Sequence, residues 1–273
     1  MINIVNLSVN YKDSLALDNI STKIKQGQLV AIVGANGSGK STLLKAIMRQ
    51  LTPSSGTIEL GTLSPKDIAY LPQSHKIDRK FPITVKDFIS AGSWQRIGFW
   101  QKFNPSENQL LKQALNKVNL QGFEKRQISA LSGGQFQRML FARMLMQDAD
   151  ILLLDEPFAA IDTQTTMDLM HVINDCQQQG KTIITVIHDL SLVTQFFPNV
   201  ILLAKTLIAS GNVRAVMTGN NLSKAGYQHI AYMQHNFKSS ASSATDALAD
   251  TLDKDDSTQI HCANPAHYEE KLS

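Results

Sequence analysis

Short apolar runs alternate with helical patterns over residues 1–237 of the chain. Residues 1–9 alternate apolar and polar side chains, without a basic start or a long apolar stretch, which predicts a β-strand rather than a signal peptide. Continuous apolar runs at 28–33, 151–154 and 182–187 are typical of strands in the centre of a parallel sheet. The order of elements therefore predicts an α/β fold.

Helices are predicted where apolar residues recur at spacings of three and four. The predicted helices cover residues 42–50, 85–91, 106–118, 134–146 and 162–179. Ser106 and Asp162 are expected to cap two of them, and Gly180 to end the last. Further short strands are predicted at 56–60 and 67–71, with a terminal hairpin formed by 200–203 and 207–210.

Composition narrows the class of protein. The chain has 273 residues, of which 43% are hydrophobic and 18% charged, and this excludes a wholly disordered chain, a collagen and a coiled coil. Its two cysteines, Cys176 and Cys262, exclude a disulfide scaffold and fit a reducing compartment. No apolar run approaches the ~18 residues needed to cross a bilayer. We therefore expect a soluble, cytoplasmic protein.

The charge is unevenly distributed. The net charge is +3, but residues 238–273 hold three lysines and seven acidic residues, which leaves +7 for residues 1–237. A basic body favours nucleotides, nucleic acid or an anionic membrane, and charge alone does not choose among them. Because the last segment is rich in Ser, Ala and Asp, we expect a domain over 1–237 followed by a flexible acidic tail.

A glycine-rich loop carries the strongest chemical signal. Residues 34–41 match the pattern G-x-x-x-x-G-K-[ST], between a predicted strand that ends at Val33 and a predicted helix. Glycines at this position let backbone N–H groups turn towards phosphate oxygens, and the helix N-terminus favours their negative charge. Lys40 is then placed to reach the β- and γ-phosphates, and the Ser41 hydroxyl to bind Mg²⁺.

Two further segments suit the same chemistry. The strand 151–154 runs into Asp155 and Glu156, where the first carboxylate can hold Mg²⁺ and the second can accept a proton from an attacking water. The second segment is Leu131, Ser132, Gly133, Gly134 and Gln135, which precedes a predicted helix and forms another anion site. Because one γ-phosphate does not need two such helix starts from one chain, we expect a head-to-tail dimer.

At this point the chain resembles the nucleotide-binding subunit of ABC transporters, over about residues 1–230. The family's phosphate loop matches Gly34, Ala35, Asn36, Gly37, Ser38, Gly39, Lys40, Ser41 and Thr42. The resemblance implies that Tyr11 stacks on adenine, that Gln73 touches Mg²⁺ and the attacking water, and that His188 contacts the γ-phosphate. Asp162 falls in the family's D-loop, where Ile161 replaces the more frequent leucine.

The resemblance also implies an architecture and partners. The expected fold is a P-loop ATPase core with a mostly parallel central sheet, an N-terminal antiparallel β subdomain and a helical signature subdomain at about 74–147. A second copy of the chain would complete the ATP sites. Transmembrane permease subunits would bind it at the cytoplasmic face of the inner (plasma) membrane, and an extracytoplasmic binding protein would deliver the cargo.

Three segments of the chain suggest which cargo is transported. Residues 73–105, 155–162 and 207–222 look like the branch of the family that imports zinc, manganese or iron. An importer of iron-siderophore or cobalamin is the alternative, and a non-transport ATPase of the same superfamily is a further one. The single set of motifs, with no long coiled-coil insertion, favours transport.

Two surfaces have alternative interpretations. The stretch with Trp94, Arg96, Phe99, Trp100, Lys102 and Phe103 could bind nucleic acid by stacking and charge, but the resemblance favours a docking surface for a membrane partner, and no nucleic acid is expected. The C-terminal segment contains His229, His235, His261, Cys262 and His267. Their spacing fits no compact zinc motif, so incidental histidines are expected and weak metal capture is the alternative.

Overall fold

The computed structural model describes residues 1–11, 14–98 and 104–228. The strands are β1 (Ile2–Tyr11), β2 (Ser14–Ile24), β3 (Leu29–Val33), β4 (Ser55–Glu59), β5 (Ile68–Leu71), β6 (Ile151–Asp155), β7 (Thr182–Val186), β8 (Asn199–Ala204) and β9 (Thr206–Asn212). The helices are α1 (Lys40–Ile47), α2 (Val85–Ser90), α3 (Trp94–Ile97), α4 (Pro105–Lys117), α5 (Gly133–Met146), α6 (Thr163–Gln178), α7 (Leu190–Phe196), α8 (Val213–Val216) and α9 (Gly219–Lys224).

The larger sheet has the strand order β5-β6-β7-β3-β8-β9. Its first five strands are parallel, and β9 pairs with β8 as an antiparallel hairpin. All five residues of β3 are buried, and they alternate between two core clusters: Ala31 and Val33 face one, Val30 and Ile32 the other. The predicted mostly parallel central sheet and the terminal hairpin are confirmed.

A smaller antiparallel sheet, with the order β2-β1-β4, covers one face of this core. Its buried residues, among them Ile4, Leu7 and Ile20, share a cluster with Leu43 and Leu44 of α1. The predicted N-terminal antiparallel subdomain is therefore confirmed. Sequence periodicity does not predict β2, because its strict alternation is limited to residues 20–24 and is broken at Asn19, where the register with β1 shifts.

Helices α2, α4 and α5 pack together as a helical part of the fold. Helix α5 is its centre, since α2 and α4 both pack on it and Phe136 and Phe141 are fully buried. A short turn after α2 lies close against the same helix: a Cβ on Gly92 would lie 2.3 Å from the Arg143 carbonyl oxygen. The expected helical subdomain is thus present on one side of the central sheet.

The start of α4 corrects one prediction. Ser106 is not the cap, because Asn104 takes that position and its Oδ1 accepts the Glu107 N–H at 2.9 Å. Pro105 occupies the first helical position, where its missing N–H costs nothing. The Asp162 cap of α6 is confirmed, since its side chain accepts the Thr165 N–H.

Several predictions fall on residues outside the described ranges. These are the acidic segment 238–273 with its histidines and Cys262, together with His229 and His235, and the aromatic stretch 99–103 with Trp100. Within residues 1–11, 14–98 and 104–228, no helix combines the length and the apolar character needed to cross a membrane.

Candidate functional site

The loop between β3 and α1 lies unusually close to its neighbours. Gly37 and Gly39 have φ values of 79° and 96°, a region that favours glycine. A Cβ on Gly34 would lie 2.3 Å from the Leu203 carbonyl oxygen, and one on Gly39 would lie 2.4 Å from the Leu17 side chain. Only glycine allows the loop to approach β8 and β2 this closely.

Lys40 folds back into this loop. Helix α1 begins at Lys40, two residues earlier than predicted, and the lysine Nζ donates to the carbonyl oxygens of Gly34 and Ala35, both at 2.8 Å. Burial lowers the pKa of Lys40, and the nearby carboxylates of Glu156 and Asp155 oppose that shift. A cation is thus held among backbone oxygens that it can leave for a stronger anionic partner.

Asp155, at the end of β6, is fully buried and has three polar partners. Ser41 Oγ donates to its Oδ1 at 3.0 Å, and the Tyr70 hydroxyl donates to its Oδ2 at 3.2 Å. The Lys76 ammonium lies 3.6 Å from the same Oδ2. Burial, and secondarily Asp155, raise the pKa of Tyr70 above its usual value, so the hydroxyl stays protonated and able to donate.

Glu156 and His188 form a second polar pair. Glu156 has a φ of 54°, which is unusual for a residue with a side chain and marks a sharp turn directly after β6. Its Oε1 lies 2.9 Å from His188 Nε2. The two residues also border a cavity of about 290 Å³ beside the start of α6. A carboxylate that can accept a proton is thereby held by a histidine from the end of the neighbouring strand β7.

One cleft of about 230 Å³ brings several predicted residues together. It is lined by Tyr11, Ala16, Asn36, Gly37, Gly39, Lys40, Ser41, Thr42 and Glu156. Tyr11, at the end of β1, is 42% exposed. An aromatic ring, the glycine-rich loop and a carboxylate therefore border the same cleft.

Gln73 lies at the same edge of the central sheet as Asp155. Strand β5 pairs in parallel with β6, with Leu71 opposite Leu154, so the residues after both strands emerge together. Gln73 is half-buried and precedes a short turn, Ser74–Lys76, that carries Lys76 towards Asp155. The structure thus brings the Gln73 segment to the buried carboxylate.

The residues 131–135 lie elsewhere, at the start of α5. Ser132 caps the helix with a capping box, in which its Oγ accepts the Gln135 N–H and the Gln135 side chain accepts the Ser132 N–H. A Cβ on Gly134 would lie 2.9 Å from Thr165 Oγ1 and 3.4 Å from Asp162 Oδ2. Asp162 and this segment are therefore neighbours, whereas none of the five residues lines the cleft with Tyr11.

Asp162 is held in place by its own helix. Its two oxygens accept the Thr165 N–H and the Thr165 hydroxyl, both at 2.8 Å. The hydrogen bond from the Thr165 N–H lowers the pKa of Asp162 below its usual value, so a negative charge persists at the start of α6.

The polar groups of Ser38, Ser41 and Asp155 fit a nucleotide with its magnesium ion. Ser38 Oγ is buried and has no hydrogen-bond partner, and it lies within the glycine-rich loop. Ser41 and Asp155 offer a hydroxyl and a carboxylate oxygen side by side, the hard ligands that Mg²⁺ prefers. A phosphate loop, a buried carboxylate at a strand end and a carboxylate–histidine pair define the class of P-loop nucleotide-binding proteins.

Comparison with known proteins narrows this class. The model of the family described as "ABC transporter" matches residues 17–159. The manganese transport system ATP-binding protein MntB of Listeria monocytogenes is 43% identical over 216 residues, covering 78% of this chain and 90% of that protein. MntB of Bacillus subtilis is 38% identical over 233 residues, covering 84% and 93%.

A solved structure of an ATP-binding cassette has a similar fold. The dimeric ATP-binding cassette MJ0796, in a post-hydrolysis state bound to ADP and Pi, has a TM-score of 0.68 and 25% identity, covering 78% of this chain and 99% of that one. The chain belongs to the ABC transporter family. The predicted fold class, an ABC-type ATPase, and the predicted binding of a nucleotide are therefore confirmed.

Sequence reasoning missed three residues around this site. Tyr70 and Lys76 contact Asp155, and the Arg79 guanidinium donates to the Leu131 carbonyl oxygen. No motif assigns these contacts to them, because the contacts depend on the adjacency of β5 and β6 and on the packing against α5. Arg96, grouped in the sequence with the aromatic residues, forms an ion pair with Glu107.

Proposed function

We propose that this chain is the ATP-hydrolysing subunit of an ABC importer for a divalent metal, with manganese as the expected cargo. The proposal that the chain hydrolyses ATP rests on one observation: a single cleft is lined by Tyr11, the glycine-rich loop and Glu156. The cargo rests on the relatives named for manganese transport and on the segments that resemble the metal-importing branch. Zinc or iron import, or import of iron-siderophore or cobalamin, is the alternative.

Binding of ATP would use residues that already border the cleft. Tyr11 would stack on adenine, and the backbone N–H groups of residues 34–42 would donate to the phosphates. Lys40 would exchange its two carbonyl partners for the β- and γ-phosphates. Ser41, Asp155 and Gln73 would hold Mg²⁺, which when bound neutralises charge on the phosphate oxygens.

Hydrolysis would depend on Glu156 and His188. Water attacks the γ-phosphorus, the bond to the β–γ bridging oxygen breaks, and ADP and phosphate leave. Glu156 would accept the proton of that water, and His188, 2.9 Å away, would orient the carboxylate and contact the γ-phosphate. Lys40 would stabilise the charge that spreads over the transferred phosphoryl group.

The position of residues 131–135 supports a homodimer. Because this segment does not line the cleft of its own chain, we propose that Ser132, Gly134 and Asp162 of one copy close the ATP site of the other. The related cassette MJ0796 has been solved as a dimer. ATP would then join two copies, and hydrolysis would release them.

We further propose the domain boundaries of the chain and its other partners. Residues 1–237 would form the nucleotide-binding domain, with its helical part at about 74–147, and 238–273 an acidic tail. A groove of about 540 Å³, lined among others by Tyr70, Ile77, Gly92 and Arg143, would receive a permease subunit at the cytoplasmic face of the membrane. An extracytoplasmic binding protein would supply the metal.

Replacing the proposed base tests the ATPase part directly. Glu156→Gln should reduce ATP turnover by about 100-fold or more while ATP binding persists, since general-base catalysis contributes roughly 10²–10⁴-fold. Glu59→Gln, at an exposed glutamate in β4, is the matched control and should keep full turnover. Unchanged turnover in Glu156→Gln would exclude Glu156 as the base, and loss of ATP binding would indicate a structural role instead.

A further inference from the structure

Arg79 contacts the segment that starts α5 in two ways. Its guanidinium donates to the Leu131 carbonyl oxygen, and it lies over the Phe136 ring, 4.5 Å from the ring centroid. Leu131 is 4% exposed and Phe136 is 1% exposed, so both partners are fixed in the core. Because the Arg79 guanidinium has both a hydrogen-bond acceptor and an aromatic ring as partners, its position is well defined.

The two partners flank the cap of α5. Leu131 immediately precedes the cap residue Ser132, and Phe136 is the fourth residue of the helix. These are the positions of a hydrophobic staple, which sets the angle at which a chain enters a helix. The Leu131 carbonyl precedes the helix and so takes no part in its hydrogen-bond ladder. Arg79 therefore binds both ends of the staple that surrounds residues 132–135.

Arg79 is also connected to the ATP cleft. It lies six residues after Gln73 and three after Lys76, on a segment whose turn is closed by a hydrogen bond from the Lys76 N–H to the Gln73 carbonyl. The same segment contacts Asp155 through Tyr70 and Lys76. One stretch of about ten residues thus touches the buried carboxylate at one end and the start of α5 at the other.

We infer that Arg79 is a positioning residue for residues 131–135, which it holds at the angle needed to meet the ATP of a second copy. The inference rests on the proposed function, because only an ATP-joined dimer gives that segment a ligand. Arg79 does not line the cleft of its own chain. Its loss should therefore weaken dimer formation without weakening the binding of ATP to a single copy.

The test compares Arg79→Met with Arg126→Met, both in the Glu156→Gln background. Arg126 is a matched control, since its guanidinium also lies over an aromatic ring of the helical part, Phe123, at 4.0 Å. We expect Arg79→Met to raise the dimer dissociation constant at saturating ATP by about tenfold, the effect of losing one charge-assisted hydrogen bond. Arg126→Met should leave it unchanged, and Arg79→Lys should restore part of the loss.

Two further measurements separate the possible outcomes. The affinity of dilute monomer for ATP should be equal in all variants, and amide hydrogen exchange at residues 132–135 should accelerate in Arg79→Met alone. Equal dimerisation, a parallel loss of ATP affinity, or unchanged exchange would overturn the role of Arg79. If the Glu156→Gln parent itself does not dimerise, the proposed dimer fails, and the exchange data still decide whether Arg79 positions the segment.

Discussion

The ion pair between Arg96 and Glu107 joins α3 to the first turn of α4, and its two members should respond unequally to mutation. Glu107 is 3% exposed at its side chain, and its two oxygens accept hydrogen bonds from Arg96 Nη1 and Nη2 at 2.9 and 2.7 Å. Arg96 is 33% exposed at its side chain. The carboxylate therefore depends on its partner more than the guanidinium does.

Because the two side chains differ in burial, mutation of each should lower the free energy of unfolding by a different amount. Arg96→Met leaves a buried carboxylate without its cation, but Arg96 is a third exposed, so water can partly replace it, and we expect a loss of about 2–3 kcal/mol of unfolding free energy. Glu107→Gln leaves a guanidinium that can turn towards water, and it keeps one acceptor oxygen, so we expect a loss of about 1–2 kcal/mol.

Urea unfolding at neutral pH measures both losses. Asp148→Asn is a suitable control, because Asp148 pairs with Lys181 but is 64% exposed at its side chain, and such pairs contribute about 0–1 kcal/mol. Equal losses for Arg96→Met and Glu107→Gln, or a larger loss for the glutamine variant, would refute the reasoning from burial.

Three other variants probe the cleft and the predicted docking surface. Gly34→Ala should abolish ATP binding in a fluorescence titration, because its Cβ would lie 2.3 Å from the Leu203 carbonyl oxygen; retained affinity would contradict the loop geometry. Tyr70→Phe should lower the unfolding free energy by about 1.5–3 kcal/mol, the range for a hydrogen bond to a charged group, and an unchanged urea midpoint would argue against the bond to Asp155. Trp100→Ala should leave soluble ATPase activity nearly intact but reduce transport; equal loss of both would exclude a docking role.

The sequence predicts the central strands well because parallel strands buried on both faces read as continuous apolar runs. It predicts α4 but assigns its cap to Ser106, where Asn104 followed by Pro105 was the stronger signal. Strand β2 escapes prediction, because its alternation is broken at Asn19, where the register with β1 shifts, and only a short alternating run remains.

Some residues of the candidate site can also be predicted from the sequence, and others cannot. Lys40, Ser41 and Asp155 are predictable, because short motifs next to strand ends fix their surroundings locally. Tyr70 and Arg79 are not, because no motif links them to their partners, which lie 85 and 52 positions away in the chain. Only the order of strands in the sheet and the packing of α5 bring those pairs together.

The most direct test of the account is the metal content of cells. Cells with the intact chain, with the chain deleted, or with Glu156→Gln would be grown in metal-poor medium, and their manganese, zinc and iron measured. The account predicts a selective fall in manganese, shared by the deletion and the Glu156→Gln cells. Unchanged contents of all three metals, in cells shown to have no second importer, would contradict metal import and leave an ABC ATPase with another cargo.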